Sequence, residues 1–484
     1  MKICFMCDLH LPFDRNALQY DVLAWAIDDL TKKKADCIIF AGDMTADGNM
    51  GVYQYCVDRL KNIGIPFLYI PGNSDLRDVN SKKAIYENAS DCLTIVNGVK
   101  FFALNDSDGR LLDEQLDILE QTEENSIVFM HHPTVCIVKE QREKLLKWRT
   151  RNPKTKLFFG HEHRFDEGSN FVSLQAMDPD KAIGENPCIT YYDTETERCS
   201  KSYYFCPVPT DLYGYMGISC YKPQEEIRYA INKGLKCLEL RPNVLSFNEE
   251  EIIDLISEWR KLGNTNLSIH LSEIRYENGL VIPDWNYQNL VDFGVKLKAE
   301  RFTQHVPVVS VKTVKEDAET LDKIAVYIAK ALEKVPREGV LGIENMHMTK
   351  QDEANDNRRF GYTPEETLLF MQKVKEKCQQ TVGINFDIGH ARNNAPYSQK
   401  YQISTWLSML GQYIIGYHLH QVKEEGGVFE NHTAIDDVYG RLISFASFFR
   451  CWSDKRISHA PAIFEMRTKN AYPITLSTFE ECKK

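Results

Sequence analysis

Polar residues of the types that bind divalent metals follow five short apolar segments before residue 165. The five motifs are Asp8-Leu9-His10, Gly42-Asp43, Gly72-Asn73-Ser74-Asp75, His131-His132 and Gly160-His161-Glu162-His163. Such groups can hold two metals about 3.5–4 Å apart, which share a bridging carboxylate and activate a water for in-line attack on phosphorus. One Asp-x-His would indicate little, whereas five motifs in order predict a metal site.

A second set of carboxylates and imidazoles lies in the C-terminal half. Its members follow apolar runs and are His270, Glu344, Asp387, His390, His418, Glu430, His432 and Glu465. Their donor types predict a site for Mn, Zn, Fe or Co. We interpret His347 and His420 as packing or supporting residues rather than ligands.

Alternating strands and helices must position the first set. The runs "KICFMC", "DCIIFAG", "PFLYIPG", "SIVFMHH" and "KLFFGHEH" predict strands, with helical patterns between several of them. The runs "NFVSLQAM", "CITYYDT" and "KSYYFCPV" predict further strands without intervening helices, which would complete a sandwich. We place a domain boundary in the Pro- and Gly-containing segment "CPVPTDLYG", between domains at residues 1–206 and 212–484.

After Gly214 the alternation becomes regular, with eight strand-helix units. The predicted strands are "YMGISC", "LKCLELRP", "NLSIHLS", "RFTQHVPVVSV", "VLGIENMH", "VGINFDIGH", "IIGYHLHQ" and "PAIFEMR". Eight β/α units in roughly 270 residues have the size of a TIM barrel, in which functional residues lie at the C-terminal ends of the strands. The sequence therefore predicts an α/β fold with a C-terminal (β/α)8 barrel.

The composition and net charge indicate which classes of binding partner to expect. A hydrophobic fraction of 43% and a charged fraction of 26% are those of a soluble globular protein. The net charge of −11 argues against broad binding to duplex DNA, so small phosphorylated ligands or nucleic acid held by metals fit better. No apolar run approaches the length of a membrane span and the N-terminus does not resemble a signal peptide, so we expect a cytoplasmic protein with no membrane partner.

The order of the N-terminal motifs resembles the calcineurin-like metallophosphoesterase family over residues 1 to 205. The resemblance implies an αββα sandwich with two divalent metals, drawn from Mn, Fe, Zn and Mg. It also implies the ligand set: Asp8, His10 and His163 for one metal, Asn73, His131 and His161 for the other, and Asp43 between them. The family pattern favours His131 over His132, since only one residue of such a pair normally points into the site from a strand.

Ser74 departs from this family pattern. The histidine that the family carries at this position contacts the phosphate and helps protonate the leaving group, a contribution of about 10²–10⁴-fold where general acid catalysis operates. The ligand Asn73 remains, so metal binding should persist. We interpret Ser74 as a change in specificity, toward better leaving groups or a proton donor from elsewhere, rather than as a loss of activity.

The C-terminal set is similar to the xylose-isomerase-like TIM barrels over residues 212 to 475. This superfamily includes sugar isomerases and epimerases as well as AP endonucleases of the endonuclease IV type, and both branches share the four ligands matched here by Glu344, Asp387, His418 and Glu465. In the isomerase branch, Glu344 and Glu465 would move a proton between adjacent carbons.

The endonuclease branch would cleave a phosphodiester with up to three metals. Its additional ligands would be His270, His305, His390, Glu430 and His432. His305 lies early in its predicted strand and Glu430 replaces an aspartate, so these two match the pattern less well. The barrel would then hold one to three ions of Zn, Mn or Fe.

These patterns predict a metal-dependent phosphoric ester hydrolase, a phosphodiesterase or nuclease acting on a phosphodiester such as a nucleotide or nucleic acid. The expected catalytic residues are Asp43, Asn73 and Ser74 in the first domain and Glu344 and Glu465 in the barrel. Two alternatives stay open. One is a bifunctional sugar-phosphate enzyme with a barrel isomerase or epimerase and an N-terminal phosphatase, and the other is a barrel that only binds a ligand and regulates the phosphoesterase.

Overall fold

The computed structural model describes residues 1–123, 126–348, 352–392, 396–426 and 428–482. The chain divides into two compact units. The first unit comprises Met1–Cys206 and Tyr439–Ser447, and the second comprises Pro207–Val438 and Phe448–Lys484. The first unit thus contains a short segment from much later in the chain, which the sequence did not predict. Among the described helices, none combines the length and apolarity needed to span a bilayer.

The first unit is built on two sheets with flanking helices. Its strands are β1 (Lys2–Met6), β2 (Cys37–Ala41), β3 (Phe67–Ile70), β4 (Leu93–Val96), β5 (Val99–Leu104), β6 (Ile127–Met130), β7 (Leu157–Phe159), β8 (Asp166–Glu167), β9 (Phe171–Ser173), β10 (Cys188–Asp193) and β11 (Arg198–Tyr203). Its helices are α1 (Leu18–Lys32), α2 (Met50–Lys61), α3 (Lys82–Glu87), α4 (Asp113–Leu119) and α5 (Lys139–Arg151), with a 3₁₀ turn at Thr134–Cys136. The strand orders are β11-β10-β1-β2-β3 and β4-β5-β6-β7-β9-β8.

Alternating side chains of the strands separate three apolar cores. On β1, Ile3 and Phe5 lie in a core that includes residues of β5, β6 and β7, whereas Cys4 and Met6 pack with α1 and α2. Phe102 of β5 faces α4 and α5 in a third core. Because successive strand residues point to opposite faces, this alternation produces the layers helix, sheet, sheet, helix. The predicted αββα fold is confirmed.

The second unit contains a closed barrel of eight parallel strands. The strands are β12 (Met216–Cys220), β13 (Cys237–Leu240), β14 (Asn266–His270), β17 (Arg301–His305), β18 (Val340–Glu344), β19 (Thr381–Asp387), β20 (Ile414–Leu419) and β23 (Ala462–Phe464). Two hairpins extend from the loops: β15 (Ile274–Glu277) with β16 (Leu280–Pro283), and β21 (Gln421–Glu425) with β22 (Val428–Thr433). All eight predicted barrel strands are confirmed, whereas the hairpins were not predicted.

Helices occupy most of the connections between the barrel strands. They are α6 (Pro223–Lys233), α7 (Glu249–Arg260), α8 (Tyr287–Lys296), α9 (Val311–Glu316), α10 (Thr320–Ala331), α11 (Pro364–Lys377), α12 (Tyr397–Lys400), α13 (Ile403–Leu410), α14 (Ala446–Ser453) and α15 (Ala471–Cys482), with 3₁₀ turns at Thr210–Gly214, Pro242–Ser246 and Gly411–Tyr413. The parallel order directs the C-terminal ends of all eight strands to one rim of the barrel.

Candidate metal centres

The structure brings the five N-terminal motifs together at the carboxyl ends of β1, β2, β3, β6 and β7. Their ligand atoms form two groups, each within 4.8 Å: Asp8, His10, Asp43 and His163 in one, and His131, His132 and His161 in the other. Asp43 lies between them, because its Oδ2 is 3.7 Å from Nε2 of His10 and 3.5 Å from Nε2 of His131. The two groups could hold two adjacent cations, with Asp43 as the carboxylate that they share.

Asn73 belongs to the second of these pockets. Its Oδ1 lies 3.1 Å from Nε2 of His131 and 3.1 Å from Nδ1 of His161. The Nδ1–H of His131 donates to the carbonyl of Ala41 at 2.9 Å. This hydrogen bond fixes the ring and leaves Nε2 to bind a cation, as is usual for metal-ligating histidines.

The backbone at this site adopts an unusual conformation. Five of the proposed ligands have φ values between 46° and 69°, in the left-handed region: Asp8, His10, Asp43, His161 and His163. Gly42 and Gly72 make room for the ligands, since a Cβ on Gly72 would lie 2.2 Å from Oδ1 of Asp43 and one on Gly42 would lie 2.3 Å from Nδ1 of His131. Non-glycine residues in this region cost energy and cluster at functional sites.

The electrostatics of the first unit fit a divalent cation. Burial, and after it the ammonium group of Lys181, holds the pKa of His10 well below its usual value, and burial lowers the pKa of His161 to about 4. Both rings are therefore neutral, the form that binds metals. Oδ1 of Asp8 is buried and has no hydrogen-bond partner among the described residues, which leaves its charge available to a metal.

At the rim of the barrel, the ligand atoms of the described residues form neighbouring groups. These groups include His270, His305 and Glu344; Glu344, Asp387, His418 and Glu465; and His390, His420 and His432. Glu344 belongs to the first two groups. Both of its carboxylate oxygens, Oδ2 of Asp387 and Oε2 of Glu465 are buried and make no well-aligned hydrogen bond in the described part of the chain, although an imidazole nitrogen lies 2.9–3.5 Å from each. Buried carboxylates of this kind require a compensating charge, so the residues fit divalent cations.

His418 lies at the centre of these groups. Its Nδ1 is 3.1 Å from Oε2 of Glu344 and 2.9 Å from Oε2 of Glu465, and its Nε2 is 3.0 Å from Oε1 of Glu239. Glu239 is fully buried on β13 and also accepts hydrogen bonds from the hydroxyls of Ser268 and Thr303. A carboxylate behind a ligating histidine fixes the orientation of the ring. Sequence reasoning missed Glu239.

Comparison with known proteins identifies the first unit. Residues 1–165 match the family model of the calcineurin-like phosphoesterases. The first unit contains a calcineurin-like phosphoesterase domain. Over 155 residues the chain is 27% identical to a probable cyclic nucleotide phosphodiesterase of a Synechococcus species, an alignment that covers 28% of this chain and 60% of that relative. The chain thus spans less than two thirds of that relative's length.

Two solved structures are each similar to more than half of this chain. A putative xylose isomerase from Rhodospirillum rubrum has 12% identity and a TM-score of 0.42, with coverage of 56% of this chain and 97% of that one. Endonuclease IV from Thermus thermophilus has 16% identity and a TM-score of 0.37, with coverage of 56% and 98%.

Within the phosphoesterase domain, the sequence alone did not determine the contacts of Ser74 or the orientation of His132. Ser74 is fully buried, and both its backbone N–H and its hydroxyl donate to the carboxylate of Asp43. The ring of His132 lies 4.5 Å from that of His161, measured between centroids. His132 is thus part of the second pocket beside His131, although the family pattern favours His131 alone.

Three expectations for the barrel differ from the structure. His305 is the last residue of β17, because Pro307 ends the predicted longer strand, so its placement early in a strand was wrong. His420 belongs to a ligand group, and its Nε2 lies 3.2 Å from Oδ1 of Asp387. Glu430 has an exposed side chain, opposite Lys423 in the β21–β22 hairpin, so the structure does not bring it to the buried groups.

Proposed function

We propose that the phosphoesterase domain, residues 1–206 together with the segment from 439 to 447, hydrolyses phosphodiesters at a site of two divalent metals. The observation that carries this proposal is the position of Asp43, whose Oδ2 faces His10 of one ligand group and His131 of the other. The match to the phosphoesterase family model and the similarity to a relative named as a probable cyclic nucleotide phosphodiesterase support it.

The residues of the phosphoesterase domain would bind the metals and orient one metal ligand. When bound, the metals would neutralise charge on the phosphate and activate a water. Asp8, His10 and His163 would hold one metal, Asn73, His131 and His161 the other, and Asp43 would be shared between them. Ser74 would hold the carboxylate of Asp43. Because its hydroxyl already donates to Asp43, it does not replace the proton donor that a histidine would provide, and the site would favour diesters with good leaving groups.

For the barrel, residues 212–484, we propose a second metal centre that cleaves a phosphodiester. The supporting observation is that His270 and His305 form a ligand group with Glu344, and that His390, His420 and His432 form another, beyond the four ligands common to both branches of the superfamily. An isomerase would need only those four. A centre with up to three metals fits phosphodiester cleavage, in which metals stabilise both the attacking and the leaving oxygen.

The experiment that tests both proposals compares the wild type with Asp43→Ala and Glu465→Ala after loading with Mn²⁺. Substrates are bis-p-nitrophenyl phosphate, single-stranded and abasic DNA, and sugar phosphates. The control is Glu162→Gln, an exposed acid within the Gly-His-Glu-His motif. We expect Asp43→Ala to abolish hydrolysis of the aryl diester while Glu162→Gln retains it.

Different results would contradict the proposal for the phosphoesterase domain and the proposal for the barrel. If Asp43→Ala left hydrolysis of the aryl diester unchanged, the assignment to the phosphoesterase domain would be wrong. If Glu465→Ala removed only the conversion of a sugar phosphate, the barrel would belong to the isomerase branch.

A further inference from the structure

A cavity of about 700 Å³ opens beside the barrel metal centre, between the loops that follow β12 and β23. Its lining includes Tyr221 and Tyr229 from the end of β12 and from α6, and Arg467 and Lys469 from the loop after β23. A cavity of this volume falls within the range of small-molecule and cofactor sites. It lies at the rim where barrel enzymes bind substrates, beside β12 and β23, the two strands whose pairing closes the barrel.

Tyr221 connects the cavity to the metal centre. Its hydroxyl donates to Oε1 of Glu465 at 2.9 Å and accepts from Nε of Arg467 at 2.8 Å. The guanidinium groups of Arg241 and Arg467 both lie over its ring, 5.2 Å and 5.4 Å from the centroid. A ligand in the cavity is therefore separated from the metal ligand Glu465 by a single tyrosine.

The charged groups of the lining favour an anion. Lys222 and Lys469 have exposed side chains, and within the described residues neither ammonium group forms a hydrogen bond or ion pair. Of the two acids in the lining, Glu226 accepts the backbone N–H of Lys222 at 2.7 Å, and Glu225 is exposed. Arg467 is a third cation of the lining, although its guanidinium also pairs with Oε1 of Glu465 at 3.4 Å. Lys and Arg side chains are the groups that proteins use to bind phosphate.

Tyr229 provides an independent indication of a ligand. Its hydroxyl is buried in the lining and has no hydrogen-bond partner in the part of the chain that the structure describes. A buried hydroxyl without a partner is costly, about 1–3 kcal/mol, unless another molecule supplies the partner. The ring of Tyr229 also offers an apolar surface to a sugar or a base.

We propose that this cavity binds one organic phosphate of nucleotide size, with its phosphate at Lys222 and Lys469 and its remaining part against Tyr221 and Tyr229. The proposal rests on the proposed phosphodiester chemistry of the barrel, and it adds the substrate class: a small phosphorylated molecule or the end of a strand rather than the middle of a duplex. Tyr229 would donate its hydroxyl to the ligand.

The test is isothermal titration calorimetry of the 484-residue chain, dialysed against EDTA, with AMP, ribose 5-phosphate and adenosine as ligands. Without metals, the carboxylates of the phosphoesterase domain repel these anions, so binding reports on the cavity. We expect AMP to bind and adenosine not to bind. In Lys222→Met/Lys469→Met the affinity for AMP should fall about tenfold, the sum of two exposed charge contacts. The matched control is Lys233→Met/Lys261→Met, two exposed lysines that do not line the cavity.

Tyr229→Phe separates ligand binding from folding. Removing a buried hydroxyl without a partner should leave the melting temperature unchanged or raise it, while weakening AMP binding. Equal binding of AMP by the wild type and the double Lys variant, or binding of adenosine as tight as that of AMP, would overturn the proposal. A stronger response to AMP than to ribose 5-phosphate would identify a nucleotide ligand, and the reverse a sugar phosphate. If AMP binding depends on the two lysines but the barrel cleaves no diester, the proposed phosphodiester cleavage is wrong and the proposed binding site is supported.

Discussion

Ser74 donates its hydroxyl to Asp43: Oγ lies 2.9 Å from Oδ2, and the backbone N–H of Ser74 lies 2.7 Å from Oδ1. The same Oδ2 faces His10 and His131. The residue that the sequence marks as a missing proton donor is thus engaged with the carboxylate between the two ligand groups. The histidine that the family pattern carries would contact the substrate, whereas this serine donates to the proposed metal ligand Asp43.

We therefore predict that Ser74→Ala retains both metals of the phosphoesterase domain. It should lower kcat for the aryl diester about tenfold, the effect of one hydrogen bond to a charged group. Metal content after gel filtration and steady-state kinetics measure the two effects. The control is Ser107→Ala, which removes another buried hydroxyl, one that donates to Oδ1 of Asn105 at 2.8 Å. Loss of metal in Ser74→Ala alone would contradict this role.

Metal binding should release a proton from His131. Burial disfavours the charged ring, but Asp43 outweighs burial and raises the pKa of His131 to about 10. Below that pH the metal-free ring carries a proton, which must leave when Nε2 binds a metal, so affinity should rise about tenfold per pH unit around pH 8. Titration of Mn²⁺ in two buffers with different ionisation enthalpies measures the release.

His161 provides the comparison within the same pocket. Its pKa of about 4 means that the ring is already neutral at pH 8. His161→Asn should therefore keep the proton release, whereas His131→Asn should abolish it. Equal heats in the two buffers for the wild-type protein would show that His131 binds metal without losing a proton.

The positions of the strand ends could be predicted from the sequence because each ligand motif follows an apolar run. Parallel strands bring such ends to one edge of the sheet, so the grouping of the motifs could be predicted as well. The β4–β5 hairpin was missed, although its turn residues Asn97 and Gly98 both have positive φ and give a strong local hairpin signal. The Tyr439–Ser447 segment had no such signal, since membership of the first unit depends on contacts distant in sequence.

Glu239 shows why part of the barrel site escaped sequence reasoning. It lies within "CLEL", a run that predicts a buried strand, and nothing local marks its side chain as facing the barrel interior. The sequence led us to interpret His420 as a packing or supporting residue. The parallel pairing of β19 with β20, which joins segments about 30 residues apart in the chain, places Asp387 beside it.

We predict that Glu239→Gln weakens metal binding in the barrel by about 10–100-fold, the usual effect of removing the carboxylate behind a ligating histidine. Burial opposes charge on Glu239, but His418 outweighs it and lowers the pKa to about 2, so the wild-type side chain is ionised. Competition with a fluorescent chelator measures the affinity. The control is Glu300→Gln, since Glu300 pairs with Arg260 at 2.6 Å. Equal affinities in the two variants would exclude this role.

Tyr439 holds its segment in the first unit. Its hydroxyl lies 3.1 Å from Oδ1 of Asn186 and 3.0 Å from the carbonyl of Cys206, and its own carbonyl accepts the N–H of Gly184 at 2.9 Å. Ala446, near the end of the segment, is fully buried in the core beside α1 and α2. The segment is therefore part of the fold of the phosphoesterase domain.

Tyr439→Phe should accordingly destabilise the first unit by about 1 kcal/mol, the contribution of a typical hydrogen bond. For a unit of this size the corresponding fall in melting temperature is about 2–4 °C. Differential scanning calorimetry measures it, with Tyr55→Phe, a half-buried tyrosine of α2, as the control. We expect diester hydrolysis below the transition to stay at the wild-type rate, because Tyr439 is not among the metal ligands. A melting temperature equal to that of Tyr55→Phe would show that the hydroxyl does not hold the segment.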